Sequence, residues 1–206
     1  VGLLSVGAAV NSVSSYGVEL YESAAYLIAE QVTEDETFRE NFYPCEPTSA
    51  GDEECAALLI EQVGRQAWRR PLTAEELDRL TTIVTAIGES DDNFHTGAMY
   101  AISAILQSPS FLYRTEHGAL DDDGVRRLTD FEIATRLSFL LWNTLPDDEL
   151  LLAAEAGELQ TTAGLEVQAR RMLADERAAE GVRNFFTELF SLYELDDLSK
   201  DPTVFT

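Results

Sequence analysis

The chain has 206 residues, 45% of them apolar and 9% aromatic, enough for one substantial helical domain or two small ones sharing an interface. Fourteen basic residues stand against 38 acidic ones, a formal net charge of −24. A surface this acidic repels phosphate, which argues against nucleic acid and anionic membrane as partners, and no apolar run is long enough for a membrane span.

The chain opens on the apolar stretch Val1 to Val10, without Met, a basic flank or a small-residue cleavage site. It reads as an internal start and not a signal peptide, so the chain is expected to be cut from something longer. From Tyr16 to Val32 the spacing of Leu20, Ala24, Leu27 and Ile28 marks one face of a helix. The segment Pro44 to Asp52 is a turn between Cys45 and Cys55. That pair can close a small loop in an oxidising compartment, which would constrain the unfolded chain by about 3 kcal/mol. A disulfide is favoured over a metal site, because no other Cys exists and the only histidines are His95 and His117.

A second helix carries Cys55, Leu58, Leu59, Val63 and Ala67 and stops at Pro71. Thr73 to Glu76 supplies a capping box for the next helix, whose stripe is Leu77, Leu80, Val84 and Ile87, ending at Gly88. Phe94, Ala98, Ala101, Ile102 and Ile105 mark another, stopped before Pro109. The acidic loop Asp121 to Gly124 is the best internal boundary. Beyond it, Thr129 to Glu132 reads as another capping box, leading into Phe131, Ala134, Leu137 and Leu141. Pro146 is placed at a first helical position with Asp147, Asp148 and Glu149 beside it. Leu165, Ala169, Met172 and Leu173, then Val182, Phe185, Phe186, Leu189 and Tyr193, define two more helices. No stretch alternates long enough for a convincing strand. The class is all-α, about eight helices in two adjoining sub-bundles, divided as residues 1–118 and 119–206, the second continuing past the chain end.

Candidate chemistry is sparse. His95 and His117 lack the partners of a zinc site and read as turn histidines. Asp121 to Asp123 could hold Ca²⁺, but the spacing of a calcium loop is absent and a solvated loop is preferred. Ser108, Ser110 and Ser138 sit in no nucleophile motif. The arginines are more informative. Arg65, Arg69 and Arg70 gather at a helix C-terminus, while Arg114 and Arg136 interrupt apolar runs. In so acidic a chain all five are expected to be structural ion-pair members, with Arg136 a candidate buried pair of the kind that costs about 3–5 kcal/mol to break. No catalytic, cofactor-binding or metal residue is assigned.

Several strings resemble one group of proteins. Arg65-Gln-Ala-Trp-Arg-Arg-Pro-Leu-Thr73, the run from Ala104 to Arg114 with Glu116, the run from Asp130 to Trp142 with Leu145 to Leu150, and Arg170-Arg-Met-Leu-Ala-Asp175 are similar to adjoining domains of planctomycete- and myxobacterium-type exported proteins. Those domains are of unknown function and often accompany c-type cytochrome modules. The resemblance implies a cysteine pair at Cys45 and Cys55, a periplasmic or cell-surface location, and neighbouring domains that can carry haem, with none bound by this segment. It supplies no catalytic residues. The preferred expectation is a helical scaffold or interaction domain. The alternative is part of a periplasmic oxidoreductase or hydrolase completed by flanking domains, with a cleft lined by Trp68, Trp142 and the arginines. A cation-dependent adhesin rests on acidity alone.

Overall fold

The computed structural model describes residues 14–120 and 123–197, so Val1 to Val10 and the chain's end from Leu198 lie outside the described residues. These divide into two compact units, one running to Phe131 and the other starting at Glu132. The chain is all-α, as its periodicity predicts, with ten α-helices among the described residues.

In the first unit α1 (Ser15–Glu34) leads into α2 (Glu36–Phe42), followed by α3 (Glu53–Trp68), α4 (Ala74–Asp91), α5 (Phe94–Gln107) and the single turn α6 (Pro109–Leu112). The helix starts follow local chemistry. Ser14, Asp35, Asp52, Thr73, Asn93 and Ser108 each accept a backbone N–H of the helix they precede. At α4 the bond is reciprocal, since the Glu76 carboxylate reaches back to the Thr73 N–H, and the capping box read from the sequence is present. The two short helices α2 and α6 are what lift the number above eight.

The most apolar helix is α5, and it occupies the centre of this unit, packed against α1, α3 and α4. Phe94, Ala98, Ala101, Ile102 and Ile105 are all buried, as their spacing predicts. Leu59, Ile60 and Val63 of α3 and Leu80 and Val84 of α4 complete the core. The approach of α1 differs from the sequence stripe. Its buried residues are Ala25, Ala29 and Thr33, while Leu20, Leu27 and Ile28 point outward. Small side chains let two helix axes come close, so the alanine face takes the contact and the leucine face is left outside.

A hairpin of two-residue strands, β1 (Ala119–Leu120) against β2 (Arg126–Arg127), follows, with Ala119 opposite Arg127. It flanks the acidic loop, of which Asp121 and Asp122 lie outside the described residues.

The second unit holds α7 (Asp130–Leu141), α8 (Asp148–Glu155), α9 (Thr162–Ala174) and α10 (Arg177–Leu189), with 3₁₀ turns at Glu158–Gln160 and Leu192–Asp197. Trp142, Leu150, Leu151, Leu159 and Met172 are buried here. Pro146 is not the first helical residue. Asp147 is the cap, because its carboxylate accepts the Leu150 N–H, and the helix begins after it. On α10 the inward residues are Ala178 and Gly181, and the large stripe is again turned out.

Gly97 of α5 lies against α4 so closely that an added Cβ would meet the Val84 carbonyl oxygen and the Gly88 backbone. Glycine to alanine inside a helix ordinarily gains about 1 kcal/mol. Here overpacking against main chain reverses the sign, and Gly97→Ala is expected to cost about 2 kcal/mol in a urea titration.

Candidate functional site

The sulfurs of Cys45 and Cys55 are bonded at 2.01 Å, joining the turn after α2 to the first turn of α3. Asp52 organises the same turn. Its carboxylate accepts the Cys55 N–H at 3.0 Å and the Thr48 N–H and hydroxyl at 2.8 and 2.7 Å, and these bonds hold its pKa down to about 2. Above the turn, His95 at the start of α5 has Nδ1 3.4 Å from the Tyr43 hydroxyl. Burial, then the Arg39 charge, lowers the His95 pKa, and burial raises that of Tyr43. A shallow depression between Pro47 to Ala50 and Asp92 to His95 lies beside it. His117 is exposed, and its carbonyl accepts Arg126. Among the described residues no group of three or more His, Cys, Asp or Glu is placed to hold a metal ion, and no helix is long and apolar enough to cross a membrane.

Arg69 and Arg70 are neighbours with different partners. Arg69 ends α3 in the left-handed region at φ 60° and is 5% exposed. Its guanidinium donates to the carbonyls of Ser110, Tyr113, Phe111 and Ala67 at 2.5, 3.1, 3.4 and 3.0 Å. The expected carboxylate is replaced by main-chain oxygens, because the last carbonyls of α6 have no helical partner and carry partial negative charge. Burial, then the charges of Arg114 and Arg70, lowers its pKa. Arg70 instead holds the Glu76 carboxylate through two bonds of 2.8 Å and lies over the Trp68 ring at 5.4 Å. The Arg70 bonds, then the Thr73 N–H, outweigh burial and take the Glu76 pKa down to about 2.

Arg65 is half-buried in the last turn of α3, while Arg114 and Arg136 are exposed. Exposure corrects the buried placement expected for Arg136, since an exposed ion pair contributes only about 0–1 kcal/mol.

The second unit repeats the tryptophan arrangement with residues that sequence reasoning did not single out as a cluster. The Trp142 indole N–H donates to the Met172 carbonyl at 2.9 Å, as that of Trp68 does to Ile105 at 3.2 Å. Arg177 lies over the Trp142 ring at 3.5 Å and Arg171 at 5.5 Å. Asp147 accepts Arg171 through two bonds of 2.8 and 2.9 Å and Arg177 at 3.2 Å. Burial pushes the Asp147 carboxyl up, but these guanidinia and the Leu150 N–H prevail and hold it below the usual range. Asp175 pairs with Arg177 and stands at about 2. The available signal was the acidic start after Pro146 together with the Arg170 to Asp175 string.

Both tryptophans are buried, at 6% and 2% exposure, with N–H groups occupied and faces covered by arginine, so neither lines an open cleft. The surface features left over are apolar. On α1, Leu20, Leu27 and Ile28 are 52%, 63% and 50% exposed. On α10, Val182, Phe186 and Leu189 are 51%, 44% and 48% exposed.

Residues 55–116 match the model of PSD5, a protein of unknown function (DUF1595), and residues 128–206 match that of PSD4, a protein of unknown function (DUF1592). Each matched segment contains one tryptophan–arginine–carboxylate cluster. No curated protein and no solved structure matches the chain.

Two outcomes are expected. Arg69→Ala leaves carbonyls of α6 unsatisfied and should cost about 3 kcal/mol in urea unfolding, while Arg69→Gly should recover about 1 kcal/mol of that by relieving the left-handed backbone. Glu76, with its folded pKa below the ordinary 4.5, contributes stability fully present above that value and lost as pH falls towards about 2. The melting-temperature gap between wild type and Glu76→Gln should therefore be widest near neutrality and close between about pH 4.5 and 2.

Proposed function

We propose that this chain is a helical scaffold and interaction module of an exported multidomain protein, positioned beside c-type cytochrome modules. The observation that carries the reading is the orientation of α1 and α10. Both turn small residues inward and large apolar ones outward, and such exposed apolar faces support a role in binding other domains. The chemistry that could have served a reaction is engaged elsewhere. The two indoles and the guanidinia of Arg69, Arg70, Arg171 and Arg177 tie helix ends together.

The Cys45–Cys55 bond supports a periplasmic or cell-surface setting, since such bonds persist where the medium is oxidising. The division into sub-domains at residues 118 and 119 is supported by two family models that match on either side of that point. The cytochrome association comes from the sequence resemblance. In that setting the haem belongs to a neighbouring module, and this chain supplies docking surfaces beside it.

The full-length protein purified from its host should show haem absorption bands that sharpen on reduction with dithionite. A colourless preparation would detach the module from electron transfer and sink the cytochrome part of this reading.

A further inference from the structure

We infer that the outward face of α1 docks a basic amphipathic helix. This rests on the interaction-module reading above and names the partner's chemistry. At 20 residues, α1 is about 30 Å long. Leu20 and Leu27, and Tyr21 and Ile28, recur seven residues apart with Ala24 between them. That spacing gives a straight seam of knobs and holes suited to a second helix. The opposite side of α1 is committed to the core through Ala25, Ala29 and Thr33, so the seam cannot turn inward.

Charge selects the occupant. Between Ser15 and Glu34 the helix carries Glu19, Glu22, Glu30 and Glu34 and no basic residue. At 100° per residue, Glu19, Glu30 and Glu34 run along one edge of the seam. Asp35 and Glu36 extend the acidity past the helix end. The nearby Arg39, whose guanidinium donates to the Thr33 and Glu34 carbonyls at 2.8 Å, offsets one of these charges and leaves the acidic excess along the rest of the edge. An antiparallel second copy would set one glutamate edge against another, and any second copy or anionic bilayer would meet the repulsion of a chain of net charge −24. A helix with leucine-type residues on one face and Lys or Arg beside them satisfies both the seam and its rim.

The test titrates the 206-residue chain with a fluorescent helical peptide of leucine at heptad a and d positions and lysine elsewhere, following anisotropy. The paired substitution Leu27→Asn with Ile28→Asn lies on exposed positions and should leave the circular dichroism spectrum unchanged while weakening the peptide at least tenfold. Val167→Asn on α9, an exposed position outside both apolar faces, should leave binding unaltered, and a peptide with glutamate in place of lysine should not bind. Equal affinity for wild type and the α1 variant would show charge attraction without a seam and overturn the proposal. A dimer in sedimentation equilibrium that the α1 variant abolishes, or binding to phosphatidylglycerol vesicles that it abolishes, would overturn it in favour of a second copy or a lipid surface. None of these results bears on the haem spectrum, so failure here leaves the scaffold reading to its own experiment.

Discussion

A buried tryptophan capped by arginine, with that arginine held by a carboxylate at a helix N-terminus, is the interaction on which each unit depends. Trp68 anchors α3 to the end of α5 through its N–H, and Arg70 carries the contact from the indole face to Glu76 in the first turn of α4. Trp142 is tied to the end of α9, and Arg171 and Arg177 carry its face to the Asp147 cap of α8. In both, one apolar ring fixes the depth of packing, and one guanidinium in the first unit and two in the second fix the direction of the next helix. The carboxylate answers two donors at once, the arginine and the helix N-terminus, so its negative charge is stabilised twice.

The arginines show how a chain of net charge −24 can still hold together. Guanidinium presents several donors in a plane, so one side chain can bridge carboxylates, carbonyls and rings that a point charge could not. Arg69 is the clearest case. It adopts a left-handed backbone that disfavours any side chain, and its donor set on the α6 carbonyls compensates. Arg39 does the same for the end of α1. Arg39, Arg69, Arg70 and Arg171 are thus taken up at helix ends, and among the described residues no carboxylate is buried.

Packing by small residues has a consequence for the surface. Ala25 and Ala29 of α1, and Ala178 and Gly181 of α10, lie inward because they permit close approach of backbones. Once those faces are taken, the leucines, isoleucine and phenylalanines on the other side have no place in the core. The two features that look separate, a tight helix contact and an exposed apolar stripe, are one choice of rotation about the helix axis.

Much of this was legible in the residues alone. Periodicity located the longer helices and the capping box at Thr73 marked the start of α4, because the Thr73 hydroxyl accepts the Glu76 N–H within a single turn and that bond is written locally. The cysteine pair was legible for the same reason, as ten positions of turn-forming chain bring its ends together. The side on which α1 and α10 pack was not, since a helix with alanines on one face and leucines on the other can rotate either way, and only the neighbouring helix selects. The partners of Arg69 and the cluster of Arg171, Arg177 and Asp147 were likewise beyond a linear reading. Apart from the Ala67 carbonyl beside Arg69, they join positions 24 to 44 residues apart, brought within hydrogen-bond distance by the packing of helices.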